Sequence, residues 1–207
     1  MNKILITGAA GFIGFNLAKK ILDTKKFRLI LVDNLSRGKF DKDFENLCNS
    51  KLVKFIKHDL NKPLNIKEKF KYIFHLASVV GVKNVNKNPL KTLENNIHST
   101  INLVKFVKKT KSNPKIIFFS TSEVYSPIIF SKKNIFPLKE SLNLFFPDKI
   151  KKRDSYFISK LINEKIITLS NYKYIIFRPH NIYGPRMGQS HVIPELIKKI
   201  KNKKNDV

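Results

Sequence analysis

Thr7-Gly8-Ala9-Ala10-Gly11-Phe12-Ile13-Gly14 is the stretch whose reading decides the fold. Residues 3–7 before it form an apolar run suited to a buried parallel strand, and residues 12–22 carry helical periodicity. The glycines are spaced G-x-x-G-x-x-G between strand and helix. Gly8 permits the tight turn. Gly11 lets the backbone approach a pyrophosphate seated on the helix N-terminus, and Gly14 lets the helix pack closely on the sheet. Three of the chain's seven glycines fall in this window, so turn and packing glycines without a ligand are the weaker reading. Asp33 closes the second apolar run, nineteen residues after Gly14. An acid there accepts hydrogen bonds from the adenosine ribose hydroxyls and repels a 2′-phosphate, which favours NAD over NADP. Arg37 close by argues the other way.

Outward from this unit, short apolar runs alternate with helical segments. Strands are expected at 27–32, 52–57, 72–75, 115–120 and 174–177, and helices at 90–109, 156–169 and 192–200. This alternation predicts an α/β fold: a Rossmann-type, doubly wound parallel sheet with helices on both faces. Residues 126–155 read as a long active-site loop, with Pro127, Pro137 and Pro147 interrupting Ile, Leu and Phe. The expected division is a NAD-binding domain over 1–178 and the start of a small substrate lobe over 179–207.

The formal charge of +26 invites a nucleic-acid reading. Against it, only five of the 41 basic residues are Arg (Arg28, Arg37, Arg153, Arg178 and Arg186), and the lysines are scattered. Lys, Asn, Ile and Phe all have A/T-rich codons, so base composition explains the charge at least as well as a polyanion partner. No apolar run approaches the roughly 20 residues that span a bilayer. The expectation is no nucleic-acid partner, no membrane association and a cytoplasmic location. Cys48 is the lone cysteine, which excludes a disulfide within the chain, and the His and carboxylate residues lack metal-ligand spacing. His75 and His180 read as structural histidines.

Tyr156 and Lys160 lie four apart on one expected helix and share a face. An ammonium beside a phenol lowers the phenol's pKa, and a phenolate can take a proton from a sugar hydroxyl. Tyr-x-x-x-Lys is common on its own. Here Ser120-Thr121-Ser122-Glu123 follows the fifth strand, at the sheet edge where ligands bind. Thr121 could hydrogen-bond the reacting hydroxyl, and Glu123 could be a second acid/base.

Taken together, TGAAGFIG at 7–14, VDNLS at 32–36, HDL at 58–60, HLA at 75–77, STSEVY at 120–125, YFISK at 156–160 and RPHNIYGPRM at 178–187 resemble the extended short-chain dehydrogenase/reductases. The resemblance is specifically to their nucleotide-sugar epimerases, dehydratases and decarboxylases, and covers nearly the whole chain. It implies NAD held by Gly8, Gly11, Phe12, Ile13, Gly14, Asp33, Asn34, Asp59, Leu60, Leu76, Ala77 and Pro179, together with Tyr156 and Lys160. It implies catalysis by Tyr156 and Lys160, assisted by Thr121 and Glu123. A nucleotide-sugar substrate would touch Thr121, Ser122 and Asn181. It also implies a homodimer formed by the helices at 90–109 and 156–169, with Leu93, Ile97, Ile101 and Val104 on one face.

The chain departs from the family at His98-Ser99-Thr100, where a Gly-Thr pair is usual, and at Tyr125-Ser126, where Tyr-Gly is usual. Ser122-Glu123 replaces the Asp-Glu pair of dTDP-sugar dehydratases and looks more like the UDP-glucuronate decarboxylases and GDP-mannose 4,6-dehydratases. The segment RPHNIYGP, with HVIPE after it at 191–195, is closer to the epimerases. Family chains continue well past residue 207, so the expectation is a truncated chain lacking much of the substrate lobe. The readings are an NAD-dependent enzyme modifying a nucleotide sugar through a 4-keto intermediate, a catalytically impaired NAD-binding module, and, more weakly, a basic nucleic-acid binder.

Overall fold

The structure is a computed structural model that describes residues 1–131, 135–188 and 192–203. Its centre is β1 (Asn2–Thr7), paired in parallel with β2 (Phe27–Asp33) on one side and β4 (Tyr72–His75) on the other. β3 (Val53–Lys57) lies outside β2, while β5 (Lys115–Phe119) and β6 (Tyr174–Phe177) extend the other half. The six-stranded order is β3-β2-β1-β4-β5-β6, parallel throughout. The chain reverses its direction of growth between β1 and β4. The crevice at their carboxyl ends is where ligands bind in such sheets.

At β1, β2, β4 and β5 both faces of the sheet are largely buried, which is why these strands read as continuous apolar runs, whereas the edge strand β6 is mostly exposed. Ile4, Ile6, Leu29 and Leu31 pack with Phe15 and Ala18 of α1 (Phe12–Asp23) and Phe44 and Leu47 of α2 (Lys42–Cys48). On the opposite face Leu5, Ile30, Val32 and Ile73 pack with Leu103, Phe106 and Val107. These three lie on α4 (Pro89–Lys109), which follows the short α3 (Val82–Lys87). α6 (Asp154–Thr168) packs along α4, and α7 (Val192–Lys203) ends the described chain.

Several expectations are corrected. Residues 126–155 are not wholly irregular: after a 3-10 turn over Ser122–Tyr125, α5 spans Ser126–Ser131. Pro127 is no obstacle, because the first turn of a helix needs no partner for its missing N–H. Ile128, with Val124, Tyr125 and Leu161, forms a small core on which Ile135, Leu138, Leu142 and Leu144 pack, which accounts for the segment's apolar content. α2 and α3 were not expected, although Asp41 caps α2 by accepting from the Phe44 amide (3.1 Å). On α4 the buried face is Thr92, Asn96, Ser99, Thr100, Leu103, Phe106 and Val107. The stripe of Leu93, Ile97, Ile101 and Val104 is rotated off it and only half-buried.

Candidate active site

The glycine turn is built by close backbone contact. Gly8 has φ +70°, and a Cβ on it would lie 2.8 Å from the Ala77 amide nitrogen. A Cβ on Gly14 would lie 2.2 Å from the Gly8 carbonyl oxygen. Side chains at either position would push α1 or the β4 loop away. Gly11 is the N-cap of α1 and supplies no capping side chain, and no acid stands in the first turn. The amides at Phe12, Ile13 and Gly14 therefore face the crevice at the positive end of the helix dipole, which suits a pyrophosphate.

Asp33 stands beside this turn. Its Oδ2 accepts from the Ala10 amide (3.0 Å) and its Oδ1 from the Leu35 amide (2.7 Å). Burial raises its pKa, and the amides of Leu35, Ala10 and Asn34 oppose that rise. The Asn34 side chain is spent on the Ser36 amide (3.0 Å). The Asp33 carbonyl takes the His58 amide (3.0 Å), which draws Asp59 and Leu60 to the same edge. Asp59 turns its carboxylate to Asn61 (3.0 Å), and Leu60 is buried. Leu76 and Ala77 are tied to Thr7 through its carbonyl (3.2 Å) and hydroxyl (3.3 Å), directly under Gly8. The cradle, the free helix terminus and the acid together fit a dinucleotide.

Next along the sheet edge, Thr121 follows β5, and its hydroxyl accepts from the Glu123 amide (3.2 Å) as the cap of the 3-10 turn. The Ser122 amide donates to the Pro179 carbonyl (3.0 Å), so the segment after β6 is stitched to the one after β5. Glu123 pairs with Arg153, and the Arg153 guanidinium carbon lies 5.2 Å from the Tyr156 ring centroid. Tyr156 feels Thr121, Glu123 and Arg153 together: burial and the Glu123 carboxylate push the phenol up to about 12, while Arg153 and Thr121 act against them.

Lys160 does not act as expected. Its Nζ donates to the Phe119 carbonyl (2.7 Å) and sits 5.1 Å from the Phe118 ring centroid and 5.9 Å from that of Tyr156. It is buried, and desolvation brings its pKa down to about 7. Burial is the largest influence on the Tyr156 phenol, and it acts upward. One carbonyl leaves most of the donor capacity of an ammonium unused.

His75 is structural: Nδ1 meets the Thr7 hydroxyl (2.8 Å) and Nε2 the Thr100 hydroxyl (3.0 Å), and burial lowers its pKa to about 3. His180 and Asn181 are exposed instead, and no hydrogen bond among the described residues draws either toward Tyr156. His191, in the expected epimerase-like segment, lies outside the described residues. Sequence reasoning missed Arg153, although an Arg three residues before Tyr156 was notable in a chain with so few. It also missed Asn96, buried on α4, which bonds Val79 through its backbone and Ser159 through its hydroxyl. The Ser159 hydroxyl in turn donates to the Tyr156 carbonyl (2.6 Å).

Comparison with known proteins places this site in context. The family described as "NAD dependent epimerase/dehydratase family" matches residues 4–207. A UDP-N-acetyl-alpha-D-glucosaminuronate decarboxylase of Bacillus cytotoxicus is 32% identical over 202 residues, which is 95% of this chain and 60% of that protein. Among solved structures, a UDP-N-acetylglucosamine 4-epimerase from Methanobrevibacter ruminantium M1 superposes with a TM-score of 0.81 at 29% identity. It covers 98% of this chain, which in turn covers 63% of the epimerase. The UDP-glucuronic acid 4-epimerase from Bacillus cereus, solved with UDP-glucuronic acid and NAD, gives 0.79 at 25% identity, with 97% and 63% covered. The chain thus spans about 60% of the length of the relatives it matches.

Proposed function

Because the chain belongs to the NAD dependent epimerase/dehydratase family, whose cofactor is NAD, we propose that it carries the cofactor-binding and catalytic portion of an enzyme modifying a UDP-linked sugar. The observation that carries this reading is the gathering of Thr121, Glu123 and Tyr156 at the sheet edge, next to the Gly8–Gly14 cradle. Bound NAD would supply two-electron oxidation at carbon 4 of the sugar and its reversal. Gly11, Phe12, Ile13 and Gly14 would hold the pyrophosphate, Asp33 and Asn34 the adenosine ribose, and Asp59 and Leu60 the adenine. Leu76, Ala77 and Pro179 would border the rest, and the unused donors of Lys160 would take ribose hydroxyls.

Tyr156 would remove the proton of the 4-hydroxyl, with Thr121 orienting that oxygen. A ketone at carbon 4 can take the hydride back on its other face, which inverts that carbon, and it also acidifies the neighbouring C–H and weakens a neighbouring C–COO⁻ bond, so epimerisation, elimination and decarboxylation all become accessible. Where the second step is elimination or decarboxylation, Glu123 would move its proton. The Ser122-Glu123 pair and the decarboxylase relative support a UDP-uronic acid as substrate. Residues 179–207 would begin the sugar-binding side, with Asn181 touching the substrate.

The test is incubation of the protein with NAD and UDP-glucuronate, UDP-N-acetylglucosaminuronate or UDP-N-acetylglucosamine, with products read by mass. Retention of NAD without any turnover would favour a binding module. Loss of carbon dioxide would select decarboxylation, and unchanged mass with an inverted hydroxyl would select epimerisation. We further propose a cytoplasmic homodimer through the half-exposed Leu93, Ile97 and Ile101 of α4. Sedimentation as a monomer at micromolar concentration would count against it.

A further inference from the structure

The loop after β2 crosses the mouth of the dinucleotide crevice. β2 and β4 flank β1, so any bond between the loops that follow them must pass over the glycine turn that follows β1. Arg37 makes such a bond: its Nη1 donates to the Val80 carbonyl at 3.0 Å. Both ends are held. On the β2 side, a Cβ on Gly38 would lie 2.5 Å from the Ala10 Cβ, so the loop rests directly on the glycine turn. On the β4 side, Asn96 grips Val79 through its amide (2.7 Å) and its carbonyl (3.2 Å).

We infer that Arg37 is a positioning residue, a clasp that joins the loop after β2 to residues 79–81 across the crevice, and not a ligand for a 2′-phosphate. The inference rests on the proposal that the crevice holds NAD. Its logic is directional. A 2′-phosphate would sit at the ribose, where Asp33 stands with both oxygens already fixed by backbone amides. Arg37 reaches instead to the loop after β4, where Val80 holds its Nη1. The guanidinium nitrogen committed to the Val80 carbonyl ties the two loops together. It would slow cofactor escape without repaying the repulsion between Asp33 and a 2′-phosphate.

The experiment compares wild type, Arg37→Ala and Arg37→Lys in three measurements. Hydrogen exchange across residues 78–85 is read without ligand. Release of NAD is followed by stopped flow, and NAD and NADP affinities are measured at one ionic strength. A clasp predicts faster exchange in Arg37→Ala, NAD release accelerated roughly three- to tenfold, as expected for losing one charge-assisted hydrogen bond at a partly exposed site, and an unchanged NADP-to-NAD affinity ratio. Arg37→Lys should fall between, because one donor survives but the planar fork does not. Selective loss of NADP affinity would overturn the inference by making Arg37 a phosphate ligand. Unchanged exchange with unchanged release would overturn it too. If wild type binds no NAD, the functional reading fails, and the exchange measurement alone decides whether the clasp exists.

Discussion

The Arg153 guanidinium binds the Glu123 carboxylate through Nη2 and lies over the Tyr156 ring, so one cation bridges the two groups proposed to move protons. Burial raises the Glu123 pKa, Arg153 opposes that rise, and Asp154 adds to it. Glu123→Gln keeps the shape but removes the titrating oxygen. Oxidation at carbon 4 should survive, and the second step should slow by about 10²–10⁴-fold. Stability should change by less than ~1 kcal/mol, because both side chains of the pair are about a third exposed. Rapid-quench product analysis separates the steps, and wild-type product formation would reduce Glu123 to a loop carboxylate.

Tyr156→Phe keeps the ring and removes the acceptor. Sugar oxidation should fall about 10²–10⁴-fold with NAD affinity nearly intact. The pH profile carries the sharper expectation. With the phenol raised to about 12, the deprotonated base is scarce near neutrality. The free-enzyme parameter kcat/KM should therefore climb across the alkaline range without a plateau near pH 7. A plateau below pH 8 would require bound cofactor to have lowered the phenol strongly.

Lys160 is a buried cation with one acceptor, which implies a stability cost. Its folded-state pKa is depressed from 10.5 to about 7. Between those values the unfolded chain holds a proton that the folded chain lacks, so this group's contribution to stability rises with pH across that window. Lys160→Met should remove that rise and stabilise the ligand-free protein at pH 7 by roughly 1–4 kcal/mol, as when buried charges are replaced by apolar groups. It should also weaken NAD binding. Denaturant melts at pH 7 and 9 test this, and a destabilised Met variant with normal NAD affinity would refute it.

His75 sits between Thr7 of β1 and Thr100 of α4 as a neutral ring. Its pKa falls from 6.5 to about 3 through burial, with the Lys160 charge adding to the effect. The unfolded chain therefore takes up a proton that the folded chain refuses, and stability is lost as pH falls from about 6.5 toward 3. The limiting loss is on the order of 5 kcal/mol. His75→Gln should lower the melting temperature at pH 7 and flatten the slope between pH 6.5 and 4. An unchanged slope would show that His75 is not the acid-sensitive group.

The sheet and its cofactor edge were legible because apolar periodicity and three glycines encode them locally. Strands buried on both faces have a single reading, and Gly8 and Gly14 have backbone contacts that any side chain would break. The partners of the site residues were not legible. Arg153 meets Glu123 across thirty residues, and Asn96 reaches Ser159 across 63, and no periodicity links such positions. Helical spacing put Lys160 on the face of Tyr156, where it lies, but its bond to the Phe119 carbonyl, reachable only in the folded sheet, was not legible. On α4 the apolar spacing at Leu93, Ile97, Ile101 and Val104 marked one face, expected in a dimer, and left the face turned to the sheet unread. The actual inner face instead includes Thr92, Asn96, Ser99 and Thr100, because polar groups there serve His75 and α6.

The segment carrying Asn181 is latched to the cofactor side by Arg186. The Arg186 Nη1 lies 2.8 Å from Asp41 Oδ1 and 3.5 Å from Asp43 Oδ2, and its guanidinium carbon is 4.1 Å from the Phe15 ring centroid. Asn16 adds a bond to the Pro185 carbonyl (3.2 Å). Asp41 also caps α2, so one carboxylate joins a helix start to the strap. Arg186→Ala loses both packing and charge and should cost about 1–3 kcal/mol, whereas Arg186→Met keeps the stem and should cost less. The acid response identifies the ionic share. Arg186 holds the Asp41 pKa below its ordinary value of 3.8. The ionic stabilisation is therefore present above that value and lost as pH falls through the depressed one. Wild type should lose more stability than Arg186→Met on passing from pH 5 to pH 2. Thermal melts of the three proteins across that range decide the matter. Parallel curves would mean that the latch is held by packing on Phe15 alone, and equal melting temperatures for wild type and Arg186→Ala would mean that there is no latch.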